Sequence, residues 1–311
     1  MSADIATANA PRWAPERRLE FIDFRLQWDR TLNRTQLMGV FGISAQQSSA
    51  DLARYMESAP GNLTYDKSAK TYRAAPEFVP LFTDADSHTY LDRLADVASD
   101  RATIGAAFIG WRPPCDVLQL PVRIVEPDTL ATIVEAMRGR HDIHVRYQSM
   151  RRSATSMRWI APHALASDGL RWHVRAWCYE SAEYKDFVLS RIRSISRWRA
   201  RTDESFEPPP DISWNKFIDI VIRPRKGLSP DQRKAIEMEY GMVRGRHVMR
   251  CRQAMASYLL RLMHLDELES SLSLIQQPLE VELTSEVAEV IAATRKSPEE
   301  SKAMTHNNEG D

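Results

Sequence analysis

Residues 171–179 read RWHVRAWCY, and FVLSRI follows at 187–192. In a β-strand alternate side chains share a face, so Arg171, His173, Arg175 and Trp177 fall on one side and Trp172, Val174, Ala176 and Cys178 on the other. The first face is cationic and aromatic. Guanidinium forks pair with phosphate oxygens and aromatic rings accept nucleobase faces, so the chemistry predicted here is the binding of a nucleotide or nucleic-acid anion. A solvated strand face, with arginines laid over aromatics, has the same letters. Both readings stay open at this point.

Catalytic signatures are missing. There is no G-x-x-x-x-G-K-[ST] loop, no G-x-S-x-G elbow and no H-E-x-x-H helix, so an enzyme is not expected. His141 and His144 are three apart where a helix exit enters a strand, which sets the rings on opposite faces and argues against a metal site. Cys115, Cys178 and Cys251 are few, distant and without C-x-x-C spacing, so neither a disulfide framework nor a zinc knuckle is expected. No metal and no cofactor are predicted. His173, between two arginines, suits a neutral imidazole donating to phosphate as well as it suits a satisfied structural histidine.

The elements that would position these groups are short strands. Candidates at 143–149, 157–163, 170–179 and 184–195 succeed one another, with Ser167-Asp168-Gly169 as a turn between the second and third. Together they predict a small, strongly curved antiparallel sheet or barrel, preceded by a helix whose Leu130, Ile133, Val134 and Met137 form an apolar stripe behind Pro127. Residues 140–199 hold twelve Lys and Arg against five Asp and Glu, although the 311-residue chain has a net charge of zero. Contacts to a polyanion must therefore come from local patches.

A second candidate site lies toward the N-terminus. Pro15 and Glu16 open a helical pattern, Asn33 caps a short helix carrying Arg34, Leu37 and Met38, and Phe41-Gly42-Ile43-Ser44 supplies a turn and the cap of a third helix. This is the order of a helix-turn-helix. The third helix is predicted to turn Leu52, Tyr55 and Met56 inward and to present Gln46, Gln47, Ser48, Ser49 and Arg54, with Ser44 and Arg34 beside them, to DNA. Residues 63–73 read as two strands around a polar turn, a wing carrying Lys67, Lys70 and Arg73. A three-helix module whose hairpin serves only packing is the alternative.

The central pattern resembles a known family. The order Tyr147-x-Ser149, Ile160-x-Pro162, Asp168-Gly169-x-x-Trp172, Arg175-Ala176 and Phe187-x-x-x-Arg191-Ile192 resembles the WYL domain of bacterial transcription regulators. With the winged helix and the C-terminal extension, the chain is similar to the repressors associated with BREX and CBASS phage-defence loci. The name-giving Trp-Tyr-Leu triplet is here Trp172-His173-Val174. The resemblance implies an Sm-like fold and a pocket for a nucleic-acid or nucleotide effector at Tyr147, Ser149, His163, Trp172, Arg175, Phe187 and Arg191. Charge alone adds Arg152, Arg158, Arg171 and His173.

After the stiff run Pro208-Pro209-Pro210, the letters predict strand, helix, strand and helix, a module that the resemblance implies pairs two subunits. The expected fold is α+β and multidomain: a winged helix-turn-helix at 12–76, a helical linker at 77–138, an Sm-like small β-barrel or WYL domain at 139–200, an α/β dimerisation module at 211–296 and a disordered tail at 297–311. The N-terminus lacks the build of a signal peptide and no apolar run reaches the length of a membrane span, so a cytoplasmic protein is expected. The function expected is a homodimeric repressor of a phage-defence operon, bound to an inverted repeat of double-stranded DNA. A ligand-dependent activator and an RNA- or nucleotide-binding accessory protein are the alternatives.

Overall fold

A computed structural model describes residues 15–201, 207–266 and 272–296; the expected tail at 297–311 lies outside them. The chain divides between Leu120 and Pro121 into two bodies.

The first body is built on α1 (Pro15–Trp28), β1 (Thr31–Leu32), α2 (Arg34–Phe41), α3 (Ala45–Ser58), β2 (Leu63–Asp66) and β3 (Thr71–Ala74), followed by α4 (Ser87–Ala98) and the short α5 (Ile104–Ala107). Asn33 starts α2 through a capping box with Gln36, and Gly42 ends it at φ 61°, in the left-handed region that glycine adopts without penalty. The Ser44 hydroxyl then caps α3 by accepting from the Gln47 amide. Antiparallel strands in the order β1-β3-β2 form the wing. Phe21, Ile22, Leu26, Leu37, Leu52 and Tyr55 close the core between the three helices. Asp23 is wholly buried, yet its oxygens accept from the Tyr55 hydroxyl (2.5 Å), the Leu81, Phe82 and Thr83 amides (3.0, 2.9 and 2.9 Å) and the Thr83 hydroxyl (2.9 Å). A buried carboxylate is tolerable only with such a set of donors, and this one ties the segment after the wing to α1. Residues 77–138, expected as a single helical linker, are shared between the bodies: Leu94, Val97 and Phe108 complete the first core, whereas the following helix belongs to the second body.

The second body begins with α6 (Pro127–Arg138). Strands β4 (His141–Tyr147), β5 (Ser156–Ser167), β6 (Trp172–Cys178) and β7 (Glu183–Val188) follow, then a 3-10 turn at Leu189–Arg191 and β8 (Ile192–Ala200). The expected strand at 184–195 is therefore two strands, and Arg191 sits in the turn that breaks it. The sheet is antiparallel in the order β7-β6-β5-β4-β8. Among the described residues β7 and β8 do not pair, so the expected barrel is not closed. Register shifts in β4 and at His163 in β5 bend and twist the sheet. The shift at His163 follows Pro162, whose missing N–H interrupts a regular ladder.

Helix α6 covers one side of the sheet over β4, β5 and β8, where Ile133 and Ala136 meet Ile143, Val145, Ile160, Val174 and Ala176. The C-terminal module adds α7 (Ile212–Asn215), β9 (Phe217–Pro224), α8 (Pro230–Glu239), β10 (His247–Arg252), α9 (Gln253–Leu262), β11 (Leu279–Val281) and α10 (Ser285–Lys296). Its strand order is β10-β9-β11. Ile218, Ile220 and Ile222, at period two along β9, pack on Ala256 and Leu260 of α9 and on Val287 and Ile291 of α10. β11 and α10 extend the expected strand-helix-strand-helix pattern.

Candidate functional site

Helix α3 presents Gln46, Gln47 and Arg54 to solvent. Gln46 makes no side-chain bond among the described residues, whereas the Gln47 amide donates to Asp51 (3.0 Å). Asp51 is also paired with Arg18 (2.6 and 3.1 Å) in a buried bridge that locks α3 onto α1. Ser48 departs from the expected outward set. It is 0% exposed and its hydroxyl faces the Arg34 carbonyl (3.4 Å), because position 48 lies four residues before the core residue Leu52 and shares its face. Met56 departs in the opposite sense, at 41% exposed instead of inward. The Arg34 guanidinium donates to the Ser49 hydroxyl (3.2 Å), which itself donates to the Ala45 carbonyl (2.9 Å).

In the wing Lys67 and Lys70 are exposed, while Arg73 is held by Asp66 (3.0 Å). The other Asp66 oxygen takes the Ser68 and Ala69 amides and the Ser68 hydroxyl. Together with Arg73, these bonds hold the Asp66 carboxyl well below the usual range, the Ala69 amide foremost. The carboxylate thus folds the wing tip and leaves the two lysines outward.

On the sheet, β6 alternates as the letters require, with Val174, Ala176 and Cys178 in the core under α6. The opposite face is covered, not open. Arg175 is 8% exposed. Its guanidinium makes a two-bond fork to Asp211 (2.7 and 3.1 Å) and reaches Asp186, its cross-strand neighbour on β7, at 3.2 Å. Asp211 also accepts from the Trp214 amide, capping α7, and lies 3.0 Å from His163 Nε2. Burial would raise the Asp211 carboxyl, but Arg175, the Trp214 amide and His163 together hold it below its usual value. Burial lowers His163, and Asp211 offsets this only in part, so the imidazole is neutral near pH 7. The bulge after Pro162 is what turns His163 toward Asp211.

His173 is buried, with Nε2 3.1 Å from Asp168 and its ring 5.1 Å from that of Tyr258 on α9. Arg171 also pairs with Asp168 (2.9 Å). Despite burial, Arg171, the Leu170 amide and His173 keep Asp168 well below the usual carboxylate range. Trp172 stands 55% exposed at the start of β6, and Arg191 turns its carbonyl to the Gln148 amide (3.1 Å).

A cavity of about 530 Å³ at the β7 edge of the sheet brings together Tyr147, Ser149, Arg152, Arg158 and Phe187 from the expected set. Register explains the grouping. Val145 stands opposite Arg158, Val174 opposite Phe187 and Ala176 opposite Lys185, so these cations share a face with the core at the margin beyond α6. Tyr147 and Phe187 meet edge to face at 5.0 Å as the floor, and the Tyr147 hydroxyl accepts from the Val188 amide (3.3 Å). Arg158 is nearly buried, forked onto the Ser156 hydroxyl (3.0 and 2.9 Å) and 3.6 Å from Glu180. Five residues not foreseen, Arg151, Glu183, Lys185, Asp186 and Tyr258, line the same cavity. Lys185 was within reach of period-two reasoning, two positions before Phe187. Tyr258 was not, because it arrives from a separate module; its hydroxyl donates to Asp186 (3.0 Å), and burial, reinforced by that carboxylate, raises it well above an ordinary phenol. His163, Arg171, Trp172, His173 and Arg191 do not line this cavity, and Arg175 lines a neighbouring one.

Comparison with known proteins agrees with this layout. The chain is 42% identical over 259 residues to the DNA-binding transcriptional repressor CapW of Escherichia coli (strain KTE188), spanning 83% of this chain and 86% of that one. It is 40% identical to CapW of Stenotrophomonas maltophilia over 89% of this chain and 92% of that one, and 39% identical to CapW of Pseudomonas aeruginosa over 82% and 85%. The chain belongs to the CapW family. Its members so named are DNA-binding repressors, a class of regulators and not of enzymes. Three family models divide this CapW relative in chain order: the BrxR transcriptional regulator winged helix-turn-helix domain at 15–96, the WYL domain at 128–197 and the BrxR C-terminal dimerization domain at 217–287. The solved proteasome accessory factor B/C (PafBC) of Arthrobacter aurescens matches at 16% identity and a TM-score of 0.29, over 89% of this chain and 45% of that one. Among the described residues no helix is long and apolar enough to cross a membrane.

Proposed function

We propose that this CapW relative is a homodimeric repressor that reads an inverted repeat through Gln46, Gln47 and Arg54 of α3, with Arg34 and Ser49 beside them, and steadies the DNA backbone with Lys67 and Lys70. The observation that carries the reading is the outward glutamine and arginine face on a helix whose other side is pinned by Ser44, Ser48 and the Arg18–Asp51 bridge. A rigid helix with polar long side chains at its start is what major-groove readout requires. One winged helix covers a short half-site, so two copies acting together fit the C-terminal module.

In this reading the cavity on the sheet takes a phosphate-bearing, nucleic-acid-derived effector. Arg151, Arg152, Arg158 and Lys185 outnumber the lining carboxylates Glu183 and Asp186, and Tyr147 and Phe187 offer aromatic edges for a base. The effector releases the operator to the extent that it binds the DNA-free form more tightly. The regulated genes are those of a phage-defence operon beside which the protein is encoded. Footprinting of the purified protein on DNA upstream of its own operon, with a reporter assayed in the presence and absence of the gene, tests the proposal. Protection of a two-fold symmetric site and derepression on gene loss are expected; no protected site, or a fall in expression on gene loss, overturns it.

A further inference from the structure

Gln46 and Gln47 carry the same side chain, but the structure gives them different freedom. Among the described residues Gln46 has no side-chain partner, whereas Gln47 Nε2 donates to Asp51 Oδ1 at 3.0 Å, one turn along α3. Asp51 is 3% exposed, and Arg18 of α1 holds both of its oxygens, Nε to Oδ2 at 2.6 Å and Nη2 to Oδ1 at 3.1 Å. Such a fork of charge-assisted bonds fixes the plane of the carboxylate. A relay therefore runs from α1 through Asp51 to an exposed glutamine in the first turn of α3.

The relay decides which hydrogen-bonding atoms Gln47 has left to offer. A carboxylate accepts only, so the amide nitrogen faces Asp51 and the carbonyl oxygen is turned away from it. A free glutamine has two amide hydrogens and one carbonyl oxygen; Gln47 has committed one hydrogen to Asp51 and keeps the other together with Oε1. In the major groove adenine presents an acceptor, N7, beside a donor, the N6 amino group, and so takes both remaining atoms. Guanine presents two acceptors, N7 and O6. It would need both amide hydrogens, and with one of them committed it sets O6 against Gln47 Oε1. Cytosine offers a donor alone and thymine an acceptor alone, so each leaves one Gln47 atom unmatched.

We propose that Asp51, held by Arg18, sets the base specificity of α3: by occupying one amide hydrogen it makes Gln47 a reader of adenine and excludes guanine at one base pair of each half-site. Asp51 and Arg18 are buried and act through Gln47, so they are positioning residues and not contacts to DNA. The proposal rests on the reading of α3 as the helix that enters the major groove. Gln46, without such a partner, is free to turn its amide either way and carries no corresponding exclusion.

The test measures the affinity of the full chain, by fluorescence anisotropy, for the operator found by footprinting and for variants in which each base pair of the half-site is replaced in turn, symmetrically in both halves. The proteins are the unaltered chain, Gln47→Ala, Asp51→Asn, and Arg18→Met combined with Asp51→Leu, each checked for folding by thermal unfolding. The unaltered protein should show one position at which adenine is preferred to guanine at least about tenfold, the worth of one bidentate contact, and Gln47→Ala should abolish the preference there. The double variant removes both charges of the buried pair together, which leaves α3 packed, and frees the second hydrogen of Gln47. Guanine should then bind within about threefold of adenine at that position, with the other positions and the affinity for random DNA unchanged. Asp51→Asn, which sets a donor beside Gln47, should narrow the same preference, so either variant decides if the other does not fold. A tenfold preference that survives in a folded variant, a fall in affinity spread over all sequences, or a Gln47-dependent position that prefers guanine overturns the relay while α3 remains the reading helix. Absence of base preference at every position overturns the reading of α3 itself.

Discussion

Removing the Arg175 guanidinium strips the cation from two carboxylates at once, and the consequence should be read in stability before it is read in regulation. The Asp211 side chain is 4% exposed and that of Asp186 11%. After Arg175→Ala, among the described residues Asp211 keeps the Trp214 amide and a neutral His163, and Asp186 keeps the Tyr258 hydroxyl. Breaking a buried pair from one side costs about 3–5 kcal/mol, because the remaining charge stays desolvated, a large part of the roughly 5–15 kcal/mol that holds a domain folded. Urea unfolding of the second body, followed by tryptophan fluorescence, should show that loss. Arg175→Met combined with Asp211→Asn removes both charges and should recover more than half of it. The pH dependence has a definite sign. Asp211 is held below its unfolded value, so the stability it contributes is complete above about pH 4 and disappears as the pH falls through its lower folded value; in Arg175→Ala desolvation without the cation raises the same carboxyl, so the gap between the two proteins should be largest at neutral pH and narrow as the pH falls through that raised value. A loss under about 1 kcal/mol, or a double variant as unstable as the single one, would refute the reasoning.

Other outcomes follow from the same geometry. Gln46→Ala should cost about 1–3 kcal/mol on the operator and little on random DNA if its contact is bidentate, whereas Lys67→Ala should weaken both alike and reduce the salt slope by about one, as fluorescence anisotropy across a salt series will show. Ser48→Leu, which forces a larger side chain into a closed position under α3, should destabilise the first body by about 1–3 kcal/mol in thermal unfolding. The full chain should sediment as a dimer at micromolar concentration, and a chain ending at residue 216 as a monomer with weakened affinity for the inverted repeat.

Local chemistry made the first body legible. Asn33, Gly42 and Ser44 each act on the residues next to them, so the helices and the turn could be read directly. Ser48 and Met56 were misassigned because a stripe on a helix does not say where the core ends. The sheet was legible in its alternation but not in its partners. Arg175 stands on the face that β6 predicted, yet what lies over that face is Asp211, 36 residues on, and Tyr258, 83 residues on. Nothing local signals either contact. The break at 189–191 was hidden because Leu189 and Ile192 are both apolar and both buried, and Ser190 and Arg191 between them include neither the glycine nor the proline that marks a turn. The barrel failed as an expectation because closure depends on whether edge strands meet, a property of the whole sheet's curvature and not of any one strand.

Asp211 caps α7 with one oxygen and clamps Arg175 with both, while the Pro209 carbonyl accepts from the Tyr184 hydroxyl at 2.6 Å. The proline run thus reads in the sequence as a stiff spacer standing apart from its neighbours but is stitched to the strands before it. Anyone exchanging sensors between such regulators would be drawn to splice at those prolines, and a graft made there would give the incoming sheet an arginine without its clamp. Transplantable units should instead run through Asn215, carrying the stitch along with the sheet that it secures.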